Sequence, residues 1–331
     1  MPRLRLPLRL AVPLLGASVL LTAAVPVALA GSVGTGAAAP AAAPAGGRIR
    51  VQCVASNHKN DQMAISLARA IDASLRGRVS TVGLYATDGR FGMTCQWHAA
   101  WHFYAASVVK VTILSALLLK LQDEHRQMTA AQRNLAWLMI TQSDNSAANA
   151  LWYEVGYYYM QRFLDRAGMS QTRLSPYWGL TQITAHDENL LLTLLSSREP
   201  LLDRASRVYV RYLMRHVIYW QRWGVAAGAP KSVVAHIKNG WLPYPPPNYP
   251  WEINSLGIFT SGPQVYRISM LTFENPSMAY GIDTIQRAAE VIQRGWNPGD
   301  QARVAAGVPN PTWGTPDETI PGSRYRRPAR H

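Results

Sequence analysis

Apolar and polar positions repeat along this chain with two different periods, and the order of those periods predicts its elements. Residues 60–75, NDQMAISLARAIDASL, carry apolar side chains at Met63, Ile65, Leu67, Ala70, Ile71 and Leu75, the spacing of an amphipathic helix. RVSTVGLYATDGR, 78–90, then reads as a strand with Asp88-Gly89 as its hairpin turn. FGMTCQWHAAWHFYA, 91–105, is the expected partner. From Ser107 to about Leu121 the chain is almost wholly apolar, which predicts a buried helix. Helical spacing continues through 129–141, 146–167 and 185–214. The period then shortens. SVVAHIKNG, EINSLGIFTSG and VYRISMLTF alternate as strands between Gly/Pro turns, and residues 281–295 close with a helix.

The order is helix, two strands, a helical block, three strands, helix. It predicts an α+β fold: a five-stranded antiparallel sheet fed from both ends of the chain, flanked by helices, with an all-helical second lobe. The strand carrying Lys238 is expected at the centre of that sheet. A cleft between two lobes is where a site is expected.

The ends read differently. Arg3, Arg5 and Arg9 precede an apolar run from Leu10 to Leu29 that closes on Ala28-Leu29-Ala30, the layout of a signal peptide over 1–30. Its apolar length would also suit an uncleaved anchor, but Pro13, Pro26 and the Ala-x-Ala end favour cleavage. No stable membrane anchor is then expected. Residues 31–47 are an Ala/Pro/Gly-rich linker. The folded catalytic domain is expected over 48–296, followed by a flexible basic tail, 297–331.

Composition sharpens this picture in two places. Without the three leader arginines the formal charge falls from +14 to about +11. On an exported chain such charge points to anionic envelope polymers rather than nucleic acid, although a merely solvated tail reads equally well. The only two cysteines, Cys53 and Cys95, lie in the exported part. In an oxidising compartment they are candidates for a disulfide tying the segment before the first helix to a strand.

Three short motifs carry the candidate chemistry. Ser107-Val108-Val109-Lys110 opens the apolar helix, and at i and i+3 the two side chains share a face. A serine hydroxyl needs a base, and lysine serves when burial or a neighbouring cation favours its neutral form. Taken alone, Ser107 reads equally as an N-cap. Ser143-Asp144-Asn145 lies between two helices, where Ser143 or Asn145 could also cap. Lys238-Asn239-Gly240-Trp241 puts a lysine on a strand, costly unless it meets an anion or a polar cleft. There Gly240 lets a ligand approach closely.

Together, S-x-x-K, S-D-N and K-x-G in that order are the signature set of class A β-lactamases and penicillin-binding proteins. The chain resembles that superfamily, and its class A branch most closely, from about residue 60 to 296. ITQSDNSAANALW matches beyond the diagnostic letters. The resemblance implies a β-lactamase/transpeptidase-like fold and a serine hydrolase working through an acyl-enzyme. It makes Ser107 the nucleophile, Lys110 its base, Ser143 a proton relay and Lys238 the holder of a substrate carboxylate. It gives Asn145 the substrate's side-chain amide, Asn239 a carboxylate hydrogen bond, and the N–H groups of Ser107 and Trp241 the oxyanion. The implied substrate is a β-lactam, or a peptide or ester acyl donor. No cofactor, metal or nucleic acid is implied.

Three departures matter. Asn239 stands where Thr or Ser is usual, and Trp241 where a small residue is usual, so Trp241 is expected to narrow the cleft or form a stacking wall. Ser143 follows Ser107 by only 36 residues, which predicts a more open site. TRLSPYWGLTQITAHD, 172–187, lacks the glutamate that activates the deacylating water. Asp187 and Glu188 could be nominated in its place, but they follow Thr184 in a capping pattern and read rather as a helix start. Deacylation is therefore expected to be slow or atypical. D-alanyl-D-alanine peptidase or transpeptidase action on peptidoglycan stems, and a sensor that stays acylated, are the alternatives.

His98 and His102 read as surface or cleft-edge histidines on a strand. His236, two before Lys238, is expected on the same strand face. WLPYPPPNYPW, 241–251, is a lid or a rigid connection.

Overall fold

The computed structural model describes residues 50–198, 200–243 and 250–299. The expected signal peptide, the linker, all but 297–299 of the tail, and most of the Pro/aromatic stretch at 241–251 lie outside the described residues.

Helix α1 (Asp61–Ser74) and the terminal helix α7 (Met278–Trp296) lie where the 3.6-residue spacing put them. Six strands, one more than expected, form a single antiparallel sheet in the order β1-β3-β2-β8-β7-β6. They are β1 (Gln52–Ala55), β2 (Thr81–Asp88), β3 (Met93–Trp97), β6 (Val234–Pro243), β7 (Trp251–Ser261) and β8 (Gln264–Asn275). The added strand is β1, only four residues long. Its Cys53 pairs directly with Cys95 of β3, and the two form a disulfide. A short edge strand with half its side chains exposed has no hydrophobic signature, so its period was illegible.

The strand expected over 91–105 is shorter than its pattern. It ends at Trp97, and Phe103–Tyr104 (β4) pairs instead with Gln182–Ile183 (β5) in a separate two-stranded sheet. The β2–β3 connection spans Gly89–Gly92 rather than two residues. The lysine-bearing β6 is an edge strand, not the central one.

The helical lobe comprises α2 (Val109–Asp123), α3 (Ala130–Trp137), α4 (Asn145–Ala167), α5 (Ala185–Ser196) and α6 (Arg204–Arg215). Residues 185–214 thus make two helices, because Pro200 cannot continue α5. Two cores sandwich the sheet, and the strands' period of two decides which residue enters which. In β7, Leu256 and Ile258 pack into the helical lobe, whereas Ile253 and Phe259 pack against α1 and α7. In β6, Ala235, Ile237 and Trp241 take the α7 side. His236, Lys238 and Gly240 face the other way.

Candidate active site

The segment leading to Ser107 is held from two elements. Beside the β4–β5 pairing, the Ala105 N–H donates to Thr181 O at 2.8 Å. From β7, Glu252 Oε1 accepts the Tyr104 N–H at 2.6 Å, and Asn254 Nδ2 donates to Tyr104 O at 2.8 Å and Ala105 O at 3.2 Å. The chain then turns at Ala106 with φ 47°, a left-handed conformation rare for a residue with a side chain. A 3-10 turn, Ala106–Val108, follows and runs into α2. Ser107 therefore sits one turn ahead of the helix and does not cap it. It is 1% exposed.

Gly240 faces this turn across the cleft edge. A Cβ there would stand 2.8 Å from Ser107 N, 2.9 Å from Val108 N and 3.0 Å from Ala105 O. Only glycine lets β6 lie this close to those amides.

Lys110 lies on the first turn of α2, fully buried. Its Nζ donates to Asn145 Oδ1 at 2.6 Å, to Ser143 O at 2.7 Å and to Ser143 Oγ at 3.3 Å. From the opposite side Lys238 Nζ donates to the same Ser143 Oγ at 2.9 Å and to Asn239 O at 3.0 Å. Ser143 is in reach of both amines because a π turn, Leu138–Gln142, ends on it with φ 62°. Neither Ser143 nor Asn145 caps α4. Asp144 does, accepting the Ala147 N–H, which leaves its two neighbours for the lysines. Lys110, Ser143, Asn145 and Lys238 are thus one hydrogen-bonded group.

Asn239 and Trp241 are placed otherwise than expected, for one reason. Both are odd-numbered on β6 and point away from the cleft. Asn239 Nδ2 donates to Gln221 O at 2.7 Å and Trp223 O at 2.9 Å, while its Oδ1 accepts from Ser255 Oγ at 2.6 Å. Its amide is fully committed to fixing the 221–225 segment, so it cannot take a carboxylate. The Trp241 ring, 3% exposed, packs in the core between Trp220 and Trp223, centroids 6.4 and 6.0 Å away. It neither narrows the cleft nor forms its wall. The Trp241 backbone is another matter. Lys238 Nζ reaches Asn239 O, and β6 is an edge strand, so alternate N–H groups along it have no neighbouring strand to bond.

Trp178, which the sequence did not single out, stands over Lys110 with Nζ 4.7 Å from the ring centroid, and its Nε1 donates to Asn149 Oδ1 at 2.7 Å. The loop from 172 thus offers the lysine an indole. Asp187 and Glu188 are both fully buried in α5, which Thr184 caps. Asp187 Oδ2 accepts the Gln171 N–H at 2.9 Å and the Thr172 hydroxyl at 2.8 Å, anchoring the start of that loop. Both Glu188 oxygens lack a hydrogen-bond partner. Burial, and secondarily the charge of Asp187, push the Glu188 carboxyl up to about 8.

The histidines do not join the site. His98 lies in a turn, stacked on Trp101 at 3.7 Å, and His102 Nε2–H donates to Gln171 O, so neither is on a strand. His236 Nδ1–H donates to Arg211 O at 2.8 Å. Among the described residues no group of histidines, cysteines and carboxylates could hold a metal. Glu252 and Asn254, which hold the approach to Ser107, were also missed. Their signal was available: a carboxylate and an amide at alternate positions, and so on one face, of a mainly apolar strand.

No curated protein matches the chain in sequence. Solved structures do match its fold. A class A beta-lactamase from Bacteroides cellulosilyticus is similar at TM-score 0.63 and 17% identity, covering 71% of this chain and 98% of its own. A beta-lactamase from Sphaerobacter thermophilus gives 0.59 and 19%, covering 70% and 98%. A PBP-A mutant solved as an acyl-enzyme complex with penicillin G gives 0.59 and 18%, covering 70% and 95%. Residues 121–296, just over half of the chain, match the profile of the beta-lactamase enzyme family, although the S-x-x-K motif lies ahead of that span. On that match, and with this architecture around it, the chain belongs to the beta-lactamase enzyme family.

Proposed function

We propose that the chain is an exported serine hydrolase whose catalytic domain spans 48–296 and whose Ser107 is acylated by a lactam, amide or ester. The observation that carries this reading is the Lys110–Ser143–Lys238 hydrogen-bond chain beside the buried Ser107 turn. Lysine acts as a base in its neutral form, which burial and a neighbouring cation favour; Lys110 is fully buried and shares Ser143 Oγ with Lys238. Ser107 Oγ attacks the carbonyl carbon as Lys110 takes its proton. The Ser107 and Trp241 N–H groups meet the oxyanion. Ser143 passes the proton to the leaving nitrogen as the C–N bond breaks. Lys238 attracts a substrate carboxylate, and Asn145, its oxygen held by Lys110, turns its NH₂ to a substrate carbonyl.

Hydrolysis of the acyl-enzyme needs an activated water. No carboxylate lies on the loop from 172 to 184, and Trp178 covers Lys110 there. Deacylation is accordingly slow. This favours, as a second reading, D-alanyl-D-alanine peptidase or transpeptidase action on peptidoglycan stems, with a persistently acylated sensor as the limit. The PBP-A acyl-enzyme complex with penicillin G supports the same chemistry. The Cys53–Cys95 disulfide and the leader support an extracytoplasmic location. No helix of the described residues is long and apolar enough to cross a membrane.

The test follows a labelled penicillin over time. Label held far longer than it takes to form, with stem peptide cleaved or transferred, supports the proposal. Release as fast as formation would overturn the slow-deacylation reading.

A further inference from the structure

Away from the cleft, where α5 ends and α6 begins, positive charge gathers around a second cavity. Ser196, Ser197, Arg198, Arg204, Arg207 and Arg211 line most of its roughly 620 Å³. No carboxylate of a described residue lines it, and Glu199, next to Arg198, lies outside the described residues. Arg198, Arg204 and Arg211 form no ion pair among the described residues. Asp203 is close in sequence but caps α6 and lines a different cavity. Behind the wall, Arg267 Nε donates to Ser196 Oγ at 2.6 Å.

Burial and, after it, like charge act on two groups here. Burial and the charge of Arg207 hold the Arg211 guanidinium below the usual arginine range. Burial pushes His236, beneath the same helix, down to about 4. The hydrogen bond to Arg211 O opposes that shift, and the charges of Arg211, Arg215 and Arg222 add to it. Arg198, Arg204 and Arg211 thus meet no carboxylate among the described residues that line the cavity.

Its shape narrows the choice of ligand. Arg204, Arg207, Arg211 and Arg215 recur at intervals of three and four, so they form a row on one face of α6. At a rise of about 1.5 Å per residue the row is about 16 Å long, with one charge per turn or so. One bidentate arginine satisfies a carboxylate, whereas a phosphate has oxygens for several guanidinium forks at once. The cavity exceeds one phosphate, and the row continues beyond it. A line of charge suits a chain better than it suits a plane of headgroups.

We propose that this groove binds a linear phosphate-bearing polyanion, laid along α6 from Arg204 to Arg215 with phosphates seated against Arg198, Arg204 and Arg211. The site is separate from the Ser107 cleft and does not depend on its chemistry.

The experiment measures binding of a fluorescent linear polyphosphate to the full chain by anisotropy, at two salt concentrations. Arg198→Gln/Arg204→Gln/Arg215→Gln removes three exposed arginines whose side chains make no hydrogen bond among the described residues, so the fold is expected to be preserved. It is expected to weaken binding at least about tenfold and lower the salt slope by about 2–3. Arg69→Gln/Arg76→Gln/Arg326→Gln removes the same charge elsewhere, including the tail, and is expected to change affinity less than about twofold. Inorganic phosphate should compete poorly, and the His236 ring signals should shift in NMR as the polymer binds. Equal weakening by both triple variants, or none by the first, would overturn the proposal. So would phosphatidylglycerol vesicles that hold the protein against an excess of polyphosphate, since that identifies a membrane surface as the partner.

Discussion

Each face of β6 mixes polar with apolar residues, yet the two do different work. On one face Lys238 and Gly240 meet Ser143 and the Ser107 turn across the cleft. On the other, Asn239 and Trp241 lock the 221–225 segment and fill the core under α7. Four consecutive residues that read as one motif are thus two interleaved pairs, one facing chemistry and one facing structure. Position along a strand sorts residues only as far as its period of two.

That division is open to direct attack. Trp241→Ala should show the largest effect, about 3–5 kcal/mol of lost stability from the emptied space beside Trp220 and Trp223. Denaturant melts would measure it, while the acylation rate of the surviving folded protein should stay unchanged. A slowed acylation without lost stability would mean the ring serves the cleft after all. Gly240→Ala is the mirror case. Its Cβ must displace the Ser107 turn, and a shift of that kind costs about a hundredfold in acylation rate while the protein stays folded. Asn239→Ala leaves two carbonyls and the Ser255 hydroxyl without that partner. It should cost about 1–3 kcal/mol of stability with little change in rate.

Legibility followed the same line. Long periodic segments such as α1, α7 and the strands from Val234 onward were readable because burial on one side imposes a repeat. The set of motif residues around Ser107 was readable because their types and order are constrained by shared chemistry. What escaped was non-periodic or non-local. Strand β1 is too short and exposed to show alternation, and the break between α5 and α6 was hidden in a continuous helical pattern despite Pro200. Trp178 over Lys110 depends on a loop path that no spacing encodes. Asn239 and Trp241 are different: their parity relative to Lys238 was in the sequence and contradicted a cleft role.

Glu188 offers a separate contrast with the lysines, which share hydrogen bonds where it has none. Its folded carboxyl titrates near 8 against 4.5 for the free group, so between those values the unfolded chain releases a proton that the folded one keeps. Its contribution to stability therefore falls as pH rises from about 4.5 to about 8 and is flat above. Glu188→Gln should flatten that slope in melts recorded across this window. An unchanged slope would mean the carboxyl is not buried unpaired.

The most direct test of the central claim is the site of acylation. Folded protein treated with penicillin, digested and read by mass spectrometry should carry one adduct, on the peptide containing Ser107, and Ser107→Ala should carry none. An adduct on another residue, or one that persists in Ser107→Ala, would contradict the account.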